Sequence, residues 1–279
     1  MATPFPKITV VTPSYNQAKF LERTILSIIN QDYPNLEYIV CDGGSTDGSV
    51  EIIKRYADKI DWWCSERDNG QTDAINKGMH HATGEIVGWI NSDDILLPGA
   101  LHELARLATE HKDSDVFMGH VVRFDDKDRI ISFNIVPPPL PAFYRHGIFY
   151  FSQQGWWWRR RIFDEIGYLN IERNACMDME FFLRQLRAGY KISYTGKHLG
   201  AIRIYEGTKT STDGDNAADN IWARDRKFLH EEYADFHYQN ESKLRRILYR
   251  LLKTVNGMYL KQWWLEHKYR GKDISTFKY

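Results

Sequence analysis

Two adjacent carboxylates, Asp93 and Asp94, end the segment Trp89-Ile90-Asn91-Ser92-Asp93-Asp94, directly after an apolar run. Ionised side by side they repel, and neither carries a hydrogen-bond donor of its own. A divalent cation shared with a diphosphate would cancel that repulsion and make this a place to activate a leaving group. The same pair also suits a solvated turn with an Asp at a helix N-cap, so the residues alone leave both readings open. Two more polar clusters follow apolar runs: Thr12-Pro13-Ser14-Tyr15-Asn16, and Asp42-Gly43-Gly44-Ser45-Thr46-Asp47-Gly48.

The runs before these clusters, residues 8–11, 36–41 and 86–90, are rich in β-branched and aromatic side chains and read as strands. Between the first two, Leu21, Ile25, Ile28 and Ile29 make one apolar helix face that ends at Asp32-Tyr33-Pro34-Asn35. Further helices are expected over 49–56, 72–81 and 100–110. This alternation predicts a largely parallel sheet, in which ligands bind at the carboxyl ends of the strands. All three clusters sit at such ends, so one crevice should gather them. A strand at 116–118 should precede a hairpin of 121–124 and 129–133 around Asp125-Asp126-Lys127-Asp128. Pro137-Pro138-Pro139-Leu140-Pro141 breaks regular structure, and the polar stretch 207–216 reads as a mobile loop.

The last 60 or so residues differ in character. Leu244, Ile247, Leu248, Leu251, Val255 and Met258 follow helical spacing, while Lys243, Arg245, Arg246, Arg250 and Lys253 fill the same turns. Such a helix either lies on an anionic membrane surface or packs its apolar face on the main body. Overall, 37 acidic residues balance 37 basic ones, which gives no field for nucleic acid. Cys41, Cys64 and Cys176 show no C-x-x-C spacing and suit a reducing cytoplasm. No export signal and no run of about 18 apolar residues is seen, so the expectation is a cytoplasmic protein, at most peripheral on the inner membrane face.

Taken in order, Thr12 to Asn16, Cys41 to Gly48, Asn76-Lys77-Gly78, and Ala82-Thr83-Gly84-Glu85 leading into Asn91-Ser92-Asp93-Asp94 resemble the family 2 glycosyltransferases. The likeness is close over about the first 100 residues. It continues more loosely through Gln153-Gln154, Trp156 to Arg161, Gly167-Tyr168 and Met177-Asp178. The resemblance implies a GT-A type fold: an α/β, Rossmann-like, mostly parallel central sheet flanked by helices. It would occupy residues 1–215, with a nucleotide-binding half of about 1–100 and an acceptor half of about 101–215, and a helical C-terminal extension over 216–279.

The activity implied is inverting, metal-dependent transfer of a hexosyl or N-acetylhexosaminyl group from a nucleotide-diphosphate sugar, with Mn²⁺ or Mg²⁺ as cofactor. The acceptor would be a glycan or lipid-linked glycan in surface polysaccharide synthesis, of which O-antigen is an example. By motif position Asp93 is the principal metal-binding carboxylate with Asp94 supporting it, and Pro13, Ser14, Tyr15, Asp42 and Ser92 contact the donor nucleotide. Gly43 stands where many relatives carry a second Asp associated with uracil, which leaves GDP and dTDP beside UDP as donor nucleotides. Asp178 is the candidate base, although Met177 replaces the Glu usual before it, and Glu180 lies close by.

Asp68 and Asp73 are candidates for donor-sugar contacts, although such residues also cap helices. Gln154, Trp156 and Trp158 are candidates for an acceptor groove, because sugar C–H faces stack on indoles. Alternation along a strand lets at most two of Trp156, Trp157 and Trp158 share a surface. Arg203 and Lys209, flanking the polar loop, are candidates for the diphosphate. Two rivals remain: a glycan-binding or scaffold protein without turnover, and a sugar nucleotidyltransferase. The second would want a Gly-rich loop with Arg and Lys after the first strand, which residues 12–17 lack.

Overall fold

A computed structural model describes residues 5–139, 152–208, 221–236 and 243–277. Its strands are β1 (Ile8–Ser14), β2 (Leu36–Asp42), β3 (Trp62–Ser65), β4 (Ile86–Trp89), β5 (Ile95–Leu96), β6 (Val116–Phe124), β7 (Ile130–Asn134), β8 (Trp156–Arg159) and β9 (Ile192–Arg203). They form one sheet in the order β3-β2-β1-β4-β8-β6-β9-β5, with β7 paired to β6. The half that carries the polar clusters, β3-β2-β1-β4, is parallel throughout. Beyond it β8 runs antiparallel to both β4 and β6, while β6 and β9 are parallel.

Helices cover both faces, as burial of two-sided parallel strands requires. On one face α1 (Ala18–Ile29), α2 (Ser49–Arg55) and α4 (Ala100–Glu110) bury Leu21, Ile25, Ile53, Leu101 and Leu104 against Ile8, Val10 and Val40. On the other, α3 (Gln71–His81), α5 (Arg161–Ile166) and α6 (Met177–Ala188) bury Ile75, Met79, Phe163, Phe181 and Phe182 against Val11, Ile39 and Trp89. Each cluster excludes water from one side of the sheet, and burial of each large aliphatic or aromatic side chain stabilises by roughly 1.5–3 kcal/mol.

Three consecutive indoles divide between the layers as the pleat dictates. Trp157 joins the first cluster, Trp156 and Trp158 the second. Trp157 lies flat on β4 at Gly88, where a Cβ would come within 2.4 Å of the indole. Only glycine lets the ring that close.

The second half carries a longer C-terminal association than the sequence suggests. Helix α7 (Ile221–Glu232) packs Leu229 on Leu183 of α6, and Tyr233 and Phe236 join them. Helices α8 (Lys243–Val255) and α9 (Met258–Tyr269) follow, joined through Gly257 at φ +64°. Met258, Leu265, Tyr269, Ile274 and Phe277 pack on Phe124, Ile130 and Phe133. Backbone bonds then tie the tail to the β6–β7 hairpin: Gly271 donates to Ile130, Ile130 to Lys272, and Ile274 to Asp128.

The expected first strands and helices appear within a residue at their ends, except that β1 runs three residues past the expected 8–11, to Ser14. Residues 116–118 and 121–124 form one strand, β6, with register shifts around His120. Residues 140–141 and 209–216 of the expected break and loop lie outside the described residues.

Candidate functional site

The loops after β1 and β2 are knitted together by short polar side chains. Asn16, at φ 51°, accepts from the Thr46 amide at 2.9 Å, and its own N–H donates to Ser45 Oγ at 2.8 Å. Asp47 accepts from the Ala18 amide at 2.9 Å and from the Ser49 hydroxyl at 2.6 Å. An Asp or Ser that satisfies the orphan amides of a helix start fixes where that helix begins. Pro13 and Ser14 are thereby buried at the strand end, while the Tyr15 ring is 62% exposed at the mouth. The Ser14 hydroxyl is enclosed with no partner among the described residues.

Asp42 is buried, and its carboxylate accepts from the Gly44 and Ser45 amides and from the Ser45 and Ser65 hydroxyls, at 2.5–3.1 Å. Oδ2 takes three of these bonds and Oδ1 one, so Oδ1 keeps room for a further donor. Asp42 thus ties together the loop that follows β2. Beside it, a Cβ at Gly43 would fall 2.7 Å from an oxygen of Asp68. The Asp68 carboxylate fills the space a side chain at 43 would need, and its other oxygen accepts from the Gly70 amide at 2.8 Å.

Between β4 and β5 the paired carboxylates part. Asp94 is 2% exposed and points inward, accepting from the Arg203 amide at 2.9 Å, Gln154 Nε2 at 2.7 Å and Asn91 Nδ2 at 3.1 Å. Burial, then the charge of Asp93, push Asp94 up to about 8 in spite of these donors. Asp93 is half-buried, and one of its oxygens accepts from the Tyr205 hydroxyl at 3.1 Å. Burial and the Asp93 charge raise that phenol to about 12, so it stays a donor. Thr24 of α1 pins the loop by donating to the carbonyls of Ser92 and Asp94. Ser92 is itself buried.

Opposite stand the N-termini of α3 and α6. Gln71 donates to Asn91 at 2.7 Å, and Thr72 donates to Asn174 at 2.9 Å. Asn76 holds Leu169 through both its amide groups. These bonds bring the start of α6 to the start of α3. Asp178, the second residue of α6, is half-buried and accepts from the Met179 amide. Glu180 is spent elsewhere: it is buried and engaged by Arg184 and by the Tyr233 hydroxyl. Asp73 accepts from the amide and side chain of Asn69, so its position is that of a helix-start residue.

Four expected site residues are placed otherwise by the structure. Trp156 and Trp158 are 1% exposed and line no groove; Trp158 stacks on Trp89 at 4.8 Å and donates to Gln185, and Trp156 meets Phe182 edge-on. The apolar surface that made them suitable for sugars is better used in the core. Gln154 is buried and holds Asp94. Arg203 does not face open solvent where a diphosphate would lie: its guanidinium is sandwiched between Phe20 and Phe124, and donates to the carbonyls of Asp93 and Asp125 and to Asp128. Lys209 lies outside the described residues.

Conversely, Tyr205, Gln71 and Asn91 reach the Asp93 loop without having been singled out. Asn91 was part of the motif; Tyr205 is 112 residues away in sequence and is brought near by the β5–β9 pairing and its contact with Phe20.

A cation at this site would find one hard oxygen ligand in Asp93, since the oxygens of Asp94 already face three protein donors. Among the described residues no three His, Cys, Asp or Glu side chains converge. One carboxylate completed by substrate phosphate oxygens is a usual arrangement for Mg²⁺, so the residues fit such an ion.

Residues 9–167 match the family model "Glycosyl transferase family 2". Over 109 residues the chain is 36% identical to the GalNAc(5)-diNAcBac-PP-undecaprenol beta-1,3-glucosyltransferase of Campylobacter jejuni, covering 38% of this chain and 35% of that protein. It is 35% identical over 131 residues to an uncharacterised glycosyltransferase of Nostoc, covering 45% of this chain and spanning 39% of the length of that relative. Among solved structures, S. aureus TarS in complex with UDP-GlcNAc superposes with a TM-score of 0.61 at 22% identity, over 83% of this chain and 72% of that one. That likeness speaks to the fold, which is of GT-A type. With more than half its length matched by the family model, the chain belongs to glycosyl transferase family 2.

Proposed function

We propose that the protein transfers a sugar from a nucleotide-diphosphate donor to a glycan or lipid-linked glycan acceptor, with inversion at the anomeric carbon. The observation that carries this reading is the parting of Asp93 and Asp94. One is buried and held by three donors, which leaves the other set at the crevice beside Tyr205. A Mn²⁺ or Mg²⁺ ion held by Asp93 would supply positive charge against the departing diphosphate. Tyr15 offers an exposed ring for the base, with the buried Ser14 hydroxyl and Ser92 near the nucleoside.

On the far side Asp178 is the group suited to take the acceptor proton. As the acceptor oxygen bonds to the anomeric carbon, the bond to the diphosphate oxygen breaks and the proton passes to Asp178 Oδ. The engagement of Glu180 by Arg184 and Tyr233 supports Asp178 over its neighbour. For the donor, UDP, GDP and dTDP all remain in play. The TarS neighbour was solved with UDP-GlcNAc, and a Pyrobaculum calidifontis mannosyltransferase with a TM-score of 0.56 and 20% identity was solved with GDP-Man and Mn²⁺, matching 73% of this chain and 59% of that one. The undecaprenol-linked substrate in the name of the Campylobacter relative supports a lipid-linked acceptor in polysaccharide synthesis, met at the inner membrane face by the basic C-terminal helix.

Thermal shift with each nucleotide diphosphate, with and without Mn²⁺, should pick out the donor by its stabilisation of the folded form. In a nucleotide-release assay, Asp93→Ala should lower kcat by roughly 10²–10³ and Asp178→Asn by roughly 10²–10⁴. Equal turnover in the parent and both variants would defeat this assignment and leave a glycan-binding role.

A further inference from the structure

Helices α8 and α9 expose a large apolar surface. On α8, Ile247, Leu248, Leu251 and Val255 recur at helical spacing and face solvent, Val255 at 84%. On α9, Leu260 (74%), Trp263 (65%) and Trp264 (51%) form a second exposed stripe at i, i+3, i+4. The opposite side of α9 is also apolar and is buried, through Met258, Leu265 and Tyr269. Soluble proteins seldom present several large apolar side chains together without a partner for them.

Charge identifies the partner. Between residues 243 and 272 there are nine Lys or Arg and a single acid, Glu266, in a chain that is neutral as a whole. Glu266 is already bonded to Gln262, whereas Arg250, Lys261 and Lys268 are exposed around the apolar stripes. Two helices of 13 and 12 residues are about 20 Å long each, and no described helix is long and apolar enough to cross a membrane. Exposed indoles beside cations, on helices too short to span, suit the headgroup region of an anionic bilayer. A second copy of the chain would set two strongly basic surfaces against each other.

We propose that α9, through Leu260, Trp263 and Trp264, is the membrane-inserting element of this protein, and that the cations of α8 and α9 select anionic phospholipid. The inference rests on the membrane-surface reading above and sharpens it by moving the anchor from the basic helix to the following one. Lys253 illustrates the division of labour: it is buried, bonded to Gln262, and lies over the rings of Tyr249 and Tyr259, so it joins the two helices and does not meet lipid.

The test is co-sedimentation of the full chain with phosphatidylcholine vesicles with or without phosphatidylglycerol, together with quenching of tryptophan fluorescence by brominated acyl chains. The parent should bind the anionic vesicles and be quenched. Joint replacement Leu260→Ser, Trp263→Ser and Trp264→Ser, all at exposed positions, should cut partitioning about 100-fold. Arg250→Glu with Lys268→Glu should abolish the preference for phosphatidylglycerol. Parent-like binding by the triple variant would overturn the proposal, as would a parent that ignores vesicles and self-associates in light scattering. Nucleotide-dependent thermal shift in the triple variant should be unchanged, so a failed donor assignment and a failed membrane assignment are told apart.

Discussion

At the scale of single residues, Asp93 is poised by neighbours that touch no reacting atom. Arg203 grips the carbonyl of Asp93 and sends its amide to Asp94, while the Tyr205 hydroxyl bonds the Asp93 carboxylate. If Asp93 holds the metal as proposed, these partners would fix its direction, and losing one should cost roughly 10–100-fold in metal affinity or activity. Tyr205→Phe removes the hydroxyl and keeps the ring against Phe20. It should weaken Mn²⁺-dependent stabilisation by about that factor in a metal titration, with the unfolding midpoint without metal nearly unchanged. An equal loss of stability without metal would mean that Tyr205 is only a packing residue.

At the scale of elements, β6 and β9 hold a buried imidazole pair that makes the fold sensitive to acid. His120 accepts from the Val136 amide and lies 5.0 Å from His198, which sits among Phe133 and Phe277. Burial, then the neighbouring His198, lower His120 to about 2, and burial followed by Lys261 lowers His198 to about 3. The unfolded chain takes up protons near pH 6.5 and the folded one does not, so the stability is complete above that pH and is lost as pH falls below it. Between pH 7 and 5 each imidazole should cost about 2 kcal/mol, readable as a falling urea midpoint. His198→Phe should flatten the slope by about half. The same elements show what could be read beforehand. Strands β1, β2 and β4 and helices α1 to α4 announce themselves by local periodicity. Strand β9 escaped because its polar and apolar residues follow no simple alternation, and α9 because its apolar residues lie on two opposite faces and cancel. The motif residues at strand ends were legible; the roles of Arg203, Gln154 and Trp158 were not, because burial depends on pairings distant in sequence.

At the scale of the whole molecule, the tail and the site are mechanically joined. Asp128 accepts from Arg203 and from the Ile274 amide, and Arg23 of α1 pairs with both Asp128 and Asp273. Ile274 and Phe277 are buried against the hairpin. Deleting residues 270–279 should therefore destabilise by roughly 3–6 kcal/mol, from the two lost side chains, and a urea titration would show it. Donor affinity should fall as well, since Asp128, which holds Arg203, would lose its bond from the Ile274 amide. A tail that merely trailed from the enzyme would leave both quantities unchanged.

The hairpin clasp would also give a bilayer, met as proposed, a route to the proposed donor site. If α9 seats on a lipid surface as proposed, load on it would pass through Tyr269 and the following turn to Asp128, and from there to the arginine that holds the Asp93 carbonyl. Seating the protein would thus steady the donor cleft from behind, coupling where it works to how well it holds its substrate.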